Sequence, residues 1–278
     1  MPSAGSHAAD ALREEIRDYY AQIAPSMMQN LVGRRLTVIR WPKGLKGPSF
    51  YQRHPYPERS GEPRGIQVFT PEDLLTWVRR GAFEWHVPLG RVPAPDRHDW
   101  AVFDLDPNPP AAWADCVRVA RVLLALLKSV SFPFCLKTSG ARGLHIYIPI
   151  EPTPSNEATA IIRQLCQVVE SVRPDWCTTA RRISDRGPRV YLDYLQNGHT
   201  RTMAGVFSVR GRFPLKVSTP IAEEELDVPP ETWTMTEVIR QKGLRTSLFQ
   251  RPGSVLNLCE AARAEGLITT SSITGGRD

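Results

Sequence analysis

Three aspartates and a glycine-bearing turn are the residues of this chain best placed to do chemistry. Asp104 and Asp106 lie in Phe103-Asp104-Leu105-Asp106-Pro107, and Asp193 in Val190-Tyr191-Leu192-Asp193-Tyr194. Between them runs Lys137-Thr138-Ser139-Gly140-Ala141-Arg142-Gly143-Leu144-His145. A strand turns successive side chains to opposite faces, so Asp104 and Asp106 share one face while Phe103 and Leu105 can pack on the other. If a neighbouring strand brings Asp193 alongside, three negative charges converge, which is costly unless a divalent cation neutralises them. Oxygen-only ligands favour magnesium or manganese, so the pattern predicts a two-metal site for moving nucleotidyl or phosphoryl groups. Two other readings stay open. An Asp-Leu-Asp-Pro at a strand end can be simply a turn. An aspartyl phosphatase uses a similar pair, although a small hydroxyl residue usually follows it, and here Pro107-Asn108-Pro109-Pro110 does.

The turn adds anion-binding chemistry. Glycines at 140 and 143 remove side chains where the backbone must bend sharply, and N–H groups exposed in such turns can cradle a phosphate. Ser139 contributes a hydroxyl and Arg142 a guanidinium, and His145 falls on the face that can meet the acids. The chain carries a net charge of +6. Arg173, Arg181, Arg182, Arg186, Arg189, Arg201, Arg210, Arg212 and Lys216 crowd the stretch around Asp193, as a nucleotide's phosphates would require.

The elements that must position these groups follow from periodicity. Leu12, Ile16, Tyr19, Tyr20 and Ile23 recur at helical spacing and predict a first helix ending near Pro25. Leu36 to Arg40 reads as a strand, and Gly44 to Gly65 as a surface loop in which Phe50, Tyr51 and Arg53 could stack a base and hold a phosphate, or merely pin the loop. Thr70 should cap a helix from Pro71 to Arg80. Strands are predicted at Phe83–His86, Trp100–Asp104, Phe134–Thr138, Leu144–Pro149, Arg189–Tyr194 and Met203–Val209. Core helices are predicted at Pro110–Ser129 and, capped by Ser155, at 156–172. Helices and strands alternate while hairpins join strands, so a mixed α/β (α+β) fold is expected, its sheets largely antiparallel and flanked by helices.

With 41% hydrophobic and 23% charged residues in 278, the chain can bury a substantial core. No apolar run approaches the ~20 residues of a membrane helix, and the N-terminus lacks a secretion-signal layout, so a cytoplasmic chain is expected. The five cysteines are scattered without a Cys-x-x-Cys pair, which predicts packing residues and not a disulfide framework or zinc ribbon.

The order Asp-Leu-Asp-Pro, Lys-Thr-Ser-Gly-x-x-Gly-Leu-His, Asp-Tyr-Leu-Gln-Asn and Ser208-Val209-Arg210 resembles the polymerase domain of bacterial ligase D, within the archaeo-eukaryotic primase superfamily. Tyr19-Tyr20 through Ala24-Pro25, Arg40-Trp41-Pro42 and Glu84-Trp85-His86 extend the likeness over nearly the whole chain. The resemblance implies one primase-polymerase domain over 1–278. Its first 80 or so residues would form template- and end-binding elements, and 81–278 the catalytic core. It implies a polymerase that extends or gap-fills DNA ends in non-homologous end joining, taking NTP or dNTP with a preference for ribonucleotides and using two Mn2+ or Mg2+ ions. Asp104, Asp106 and Asp193 would be the catalytic metal ligands. His86, Ser139, Arg142, His145, Arg186, Gln196 and Arg210 would contact the nucleotide, and Arg13, Arg40, Phe50, Tyr51 and Arg53 the DNA. The family commonly has Lys where this chain has Arg142, and its lysine-bearing segment before the first helix is not recognisable in Met1 to Asp10. No Lys-x-Asp-Gly ligase motif occurs, so if the chain is complete a separate ligase is an expected partner, and the resemblance implies an end-binding protein as another. A de novo primase and a non-catalytic DNA-end binding module are the rival readings.

Overall fold

The computed structural model describes residues 4–54, 65–211, 214–251 and 255–266. Along the chain run helix α1 (Ala4–Leu31), strands β1 (Thr37–Arg40) and β2 (Phe50–Gln52), helix α2 (Pro71–Arg79), and strands β3 (Ala82–Val87), β4 (Gly90–Arg91) and β5 (Ala94–Pro107). Helix α3 (Trp113–Ser129), strands β6 (Cys135–Thr138) and β7 (Leu144–Pro154), helix α4 (Ser155–Val172), strand β8 (Cys177–Thr178) and the short helix α5 (Ile183–Arg186) come next. Strands β9 (Val190–Leu192), β10 (Met203–Ala204), β11 (Val209–Arg210), β12 (Lys216–Val217) and β13 (Pro220–Ile221) precede helices α6 (Met235–Arg240), α7 (Lys242–Ser247) and α8 (Leu258–Ala264).

A seven-stranded sheet has the order β13-β6-β7-β5-β9-β8, with β4 pairing β5, and a four-stranded sheet the order β10-β3-β1-β2. Strands β11 and β12 form a separate ribbon. Every pairing is antiparallel except β8 with β9, which is the mixed, largely antiparallel fold expected.

The alternation of β5 explains how two cores share one sheet. Ala101, Phe103 and Leu105 join Ile146 and Ile148 of β7 beneath Leu123 and Leu127 of α3 and Ile161 and Leu165 of α4. Trp100, Val102 and Tyr147, on the opposite face, join Ile16, Tyr20, Ile23 and Met27 of α1 together with β1 and β3. That second face continues into Asp104 and Asp106, so the acids stand where an apolar interface ends.

Four local expectations are corrected. Helix α1 does not end at Pro25 but encloses it and runs to Leu31. Proline forfeits one backbone bond at about 3 kcal/mol, but Ile23, Ala24, Met27 and Leu31 are wholly buried on both sides of it, and their burial outweighs that loss. Phe50–Gln52 is not loop but a strand bonded to β1; residues 55–64 of the expected loop lie outside the described residues. Helix α4 begins at Ser155 itself, with Pro154 in the cap position and no side-chain cap. The expected strand Met203–Val209 is two strands in different sheets, because Gly205 donates to Trp85 O, Ser208 turns back to Gly205 O, and Phe207 adopts φ 65°.

The strands expected at Trp100–Asp104 and Leu144–Pro149 are longer, running over Ala94–Pro107 and Leu144–Pro154, and the other expected helices and strands lie close to their places. Thr70 caps α2 and forms a capping box with Asp73. All five cysteines are free thiols, and Cys116, Cys166 and Cys177 are buried packing residues. Among the described residues no helix is long and apolar enough to cross a membrane.

One buried charge cluster fastens β5 to α1's C-terminal end. Arg34, 2% exposed, donates twice to Asp99 at 2.6 and 2.8 Å, and Arg91 donates to the same carboxylate at 2.6 Å. Replacing Asp99 with Ala takes the carboxylate from three guanidinium groups, those of Arg34, Arg91 and Arg251, the first of them fully buried. Denaturant unfolding of Asp99→Ala should therefore show a loss of about 3–5 kcal/mol; a loss below about 1 kcal/mol would mean that water reaches the cluster.

Candidate active site

Register, rather than sequence proximity, assembles the site. In the β5–β7 ladder Asp104 faces His145, and in the β6–β7 ladder Lys137 faces His145. Directly opposed residues point to one face, so an acid, an imidazole and an ammonium stand side by side across three strands. His145 Nε2 lies 3.2 Å from Asp104 Oδ1, a contact too misaligned to count as a hydrogen bond, and Asp104 Oδ1 is buried without a hydrogen-bond partner. Burial and then the Asp193 charge push the Asp104 carboxyl up to about 7. For Asp106 the largest cause is Asp104 itself, followed by burial and Asp193, and its carboxyl also rises to about 7. Lys137 and Arg210 oppose the shift at Asp104, and Arg186 and Arg142 oppose it at Asp106.

Asp193 is fastened to the same strand through its backbone, its N–H donating to Asp104 O at 2.9 Å. Its carboxylate is occupied. Oδ1 accepts from Tyr191 Oη at 3.1 Å and from Leu195 N at 3.2 Å, and Oδ2 accepts from Gln196 Nε2 at 2.9 Å. Among the described residues no three Asp, Glu, His or Cys side chains are arranged to hold an ion as they stand. The expected three-acid cage is thus not closed: Asp104 and Asp106 line a cleft of about 190 Å³, while the Asp193 carboxylate is engaged by its three donors. The donor chemistry still fits a divalent cation. All three candidates are carboxylates, one oxygen is orphaned by burial, and the first pair is destabilised by mutual repulsion that a bound ion relieves.

His86, Ser139, His145, Gln196 and Arg210 line the same cleft. Arg142 and Arg186 are not among its lining side chains. Arg186 is tied to Ala180 O at 3.2 Å and Arg181 O at 3.1 Å, with its guanidinium 3.5 Å from the Tyr191 ring centre. The turn is less open to a phosphate than its glycines suggest, since Ser139 Oγ already accepts from Ala141 N at 3.1 Å and Gly143 N at 3.0 Å. Its glycines are needed for close approach. A Cβ on Gly143 would lie 2.4 Å from Leu105 O, and one on Gly140, at φ +71°, would lie 2.6 Å from Arg210 Cγ. Arg210 donates to Ser139 O at 2.8 Å, and Lys216 to Ala141 O at 2.8 Å, so the β11–β12 ribbon clamps the turn.

The expected DNA-contacting residues lie on the β1–β2 side. Tyr51 is 69% and Phe50 45% exposed. The Tyr51 ring stands 6.1 Å from that of His86, which brings the aromatic pair to the mouth of the cleft. Arg40 lies 5.5 Å from the Phe50 ring and 6.0 Å from that of Trp77. Arg13 packs beside Gly44, and Arg53 meets Ile66 through its backbone carbonyl.

Two residues with no role assigned from sequence stand behind the site: Lys137, wholly buried with Nζ 2.5 Å from Ser218 Oγ, and Glu84. Lys137 was discernible, because it alternates with Leu136 and so shares the face of His145. Glu84 shares a face with His86, but its link to Arg210 is tertiary.

A model of the family described as LigD, primase-polymerase domain, matches residues 13–247. The chain is 32% identical over 243 residues to the multifunctional non-homologous end joining DNA repair protein LigD of Mycobacterium tuberculosis, covering 80% of this chain and 32% of that protein. It is 29% identical over 245 residues to the bifunctional LigD of Bacillus subtilis, covering 82% and 39%. The chain thus spans roughly a third of the length of these curated relatives. Among solved structures it is similar to the polymerase domain of Mycobacterium tuberculosis ligase D in complex with DNA, with a TM-score of 0.76, 30% identity, and coverage of 84% of this chain and 89% of that one. The chain belongs to the LigD primase-polymerase domain family, a family of DNA-directed nucleotidyltransferases.

Proposed function

We propose that this chain extends or gap-fills DNA ends in non-homologous end joining, taking nucleoside triphosphates with a preference for ribonucleotides and working with two manganese or magnesium ions. The observation that carries the reading is the pair of repelling, cleft-lining aspartates beside His145 and Arg210. A protein that merely held DNA ends would have no use for concentrated negative charge facing phosphates. The end-joining setting is supported by the names of the relatives, and a DNA substrate by the complex in which the similar structure was solved.

Asp104 and Asp106, with Asp193 as the third carboxylate, would hold the ions. Bound there, divalent cations supply Lewis-acid stabilisation of the leaving pyrophosphate and ease deprotonation of the primer 3′-hydroxyl. The chain's own groups do the positioning. His145 stands against Asp104 in the cleft wall, and Arg210, anchored through Ser139 O, presents its guanidinium to the triphosphate. Ser139, Gln196 and His86 line the pocket for the rest of the nucleotide, and Arg142 and Arg186 temper the charge of Asp106. Phe50 and Tyr51 offer faces on which a template base can stack, with Arg40, Arg53 and Arg13 supplying cations along the strand. A ligase and an end-binding protein would complete the repair, with the first 80 or so residues engaging template and end.

A labelled-primer assay on gapped and overhanging DNA tests the reading. Asp106→Asn should lower extension by roughly a thousandfold or more while DNA affinity stays within about twofold, because the phosphate contacts lie on other residues. Extension near the unaltered level would refute the assignment. Tyr51→Ala removes an exposed ring and should leave the melting temperature unchanged while weakening binding to overhanging DNA by about tenfold, a stacked base contributing about 1–3 kcal/mol. Unchanged affinity would remove the stacking platform from the account.

A further inference from the structure

Glu84 has no part in the reading above, yet it connects two walls of the cleft. It lies on β3 at 4% exposure. Oε1 meets His86 Nε2 at 2.8 Å and Arg210 Nε at 3.0 Å, the latter an ion pair without hydrogen-bond alignment, and Oε2 accepts the N–H of Gly211 at 2.9 Å. His86 follows two residues along the same strand and therefore on the same face. Arg210 arrives from the separate β11–β12 ribbon. One carboxylate thus ties together two side chains from different sheets, and both line the cleft alongside Asp104 and Asp106.

The chemistry of that contact fixes more than distance. Burial would raise the Glu84 carboxyl, but the bond from His86, the Arg210 charge and the Gly211 N–H together hold it below the ordinary glutamate value. An ionised carboxylate can only accept hydrogen bonds. His86 must then carry a proton on Nε2, and in the neutral tautomer so selected Nδ1 is the acceptor. Arg210 is constrained from two sides, by Glu84 at Nε and by Ser139 O at one terminal nitrogen, so its other terminal nitrogen keeps two N–H donors.

We infer that Glu84 is a positioning residue for the incoming nucleoside triphosphate. It sets the tautomer of His86 and the aim of Arg210, so that the cleft offers one imidazole acceptor for a hydroxyl of the ligand and one guanidinium for its phosphate oxygens. The inference rests on the nucleotidyl-transfer reading.

The test is calorimetric binding of a nucleoside triphosphate with Mn2+ to the full chain, to Glu84→Gln, and to Glu84→Gln placed in a His86→Ala, Arg210→Ala background. Glu84→Gln should weaken triphosphate binding by about tenfold with duplex-DNA affinity and cooperative melting retained. In the doubly altered background the same change should cost less than about twofold, since its effect travels through the two missing side chains. Unchanged triphosphate affinity, an equal loss in both backgrounds, or a matching loss of DNA affinity would overturn the inference. Should Glu84→Gln not fold, nitrogen NMR of His86 in the unaltered chain decides: a proton on Nε2 supports the role and a proton on Nδ1 overturns it. Failure of the unaltered chain to bind any triphosphate would sink the nucleotidyl-transfer reading and this inference together, an outcome distinct from a silent Glu84→Gln.

Discussion

Two carboxylates on alternate positions of one strand repel each other, and the rest of the architecture makes that repulsion unavoidable. Asp104 and Asp106 cannot separate, because Phe103 and Leu105 between and beside them are locked into the core under α3 and α4. Nor can they withdraw, because Trp100 and Val102 on their own face are sealed against the second core around α1. A flexible loop bearing the same two acids would swing them apart into water. A strand clamped on both faces holds them where an added positive charge is most favourable.

Among the described residues no lysine or arginine forms a direct ion pair with Asp104 or Asp106, although four of them act on the pair through their charge. Lys137 is buried beside His145 on the face that carries Asp104, while Arg210 crosses from the ribbon and is itself held by Glu84. Arg142 and Arg186 act on Asp106 without lining the cleft. A direct salt bridge to either acid would satisfy the carboxylates and leave little affinity for an ion. The charge is instead tempered enough for the fold to tolerate it and left open toward the cleft. Asp193 is kept beside the pair by its backbone bond to Asp104 while its side chain rests on Tyr191, Leu195 and Gln196, so the third carboxylate is near but not committed.

The sequence made the acids, the turn and His145 legible because strand alternation is local: Asp104, Asp106 and the apolar residues between them declare the face of β5 without any knowledge of its neighbours. Helices α3 and α4 were visible for the same reason at a longer period. What it concealed depends on contacts between distant segments. The extension of α1 through Pro25 needs the second core to offset a lost hydrogen bond. The division of Met203–Val209 needs the carbonyl of Trp85 and the bend at Phe207, and the occupied state of Asp193 needs Tyr191 and Gln196 to be folded around it. Glu84 reads in sequence as one acid in a strand; its meaning appears only when Arg210, 126 positions later in the chain, arrives at its carboxylate.

Everything in the account turns on cations being drawn to the strand face that carries Asp104 and Asp106. Electron paramagnetic resonance of Mn2+ titrated into the full chain with a nucleoside triphosphate present addresses this without relying on turnover. The account predicts protein-bound Mn2+ that disappears when Asp104 and Asp106 are both changed to Asn in a chain whose fold is intact. Mn2+ bound equally well by that doubly altered chain, or no bound Mn2+ beyond what the nucleotide alone retains, would contradict it.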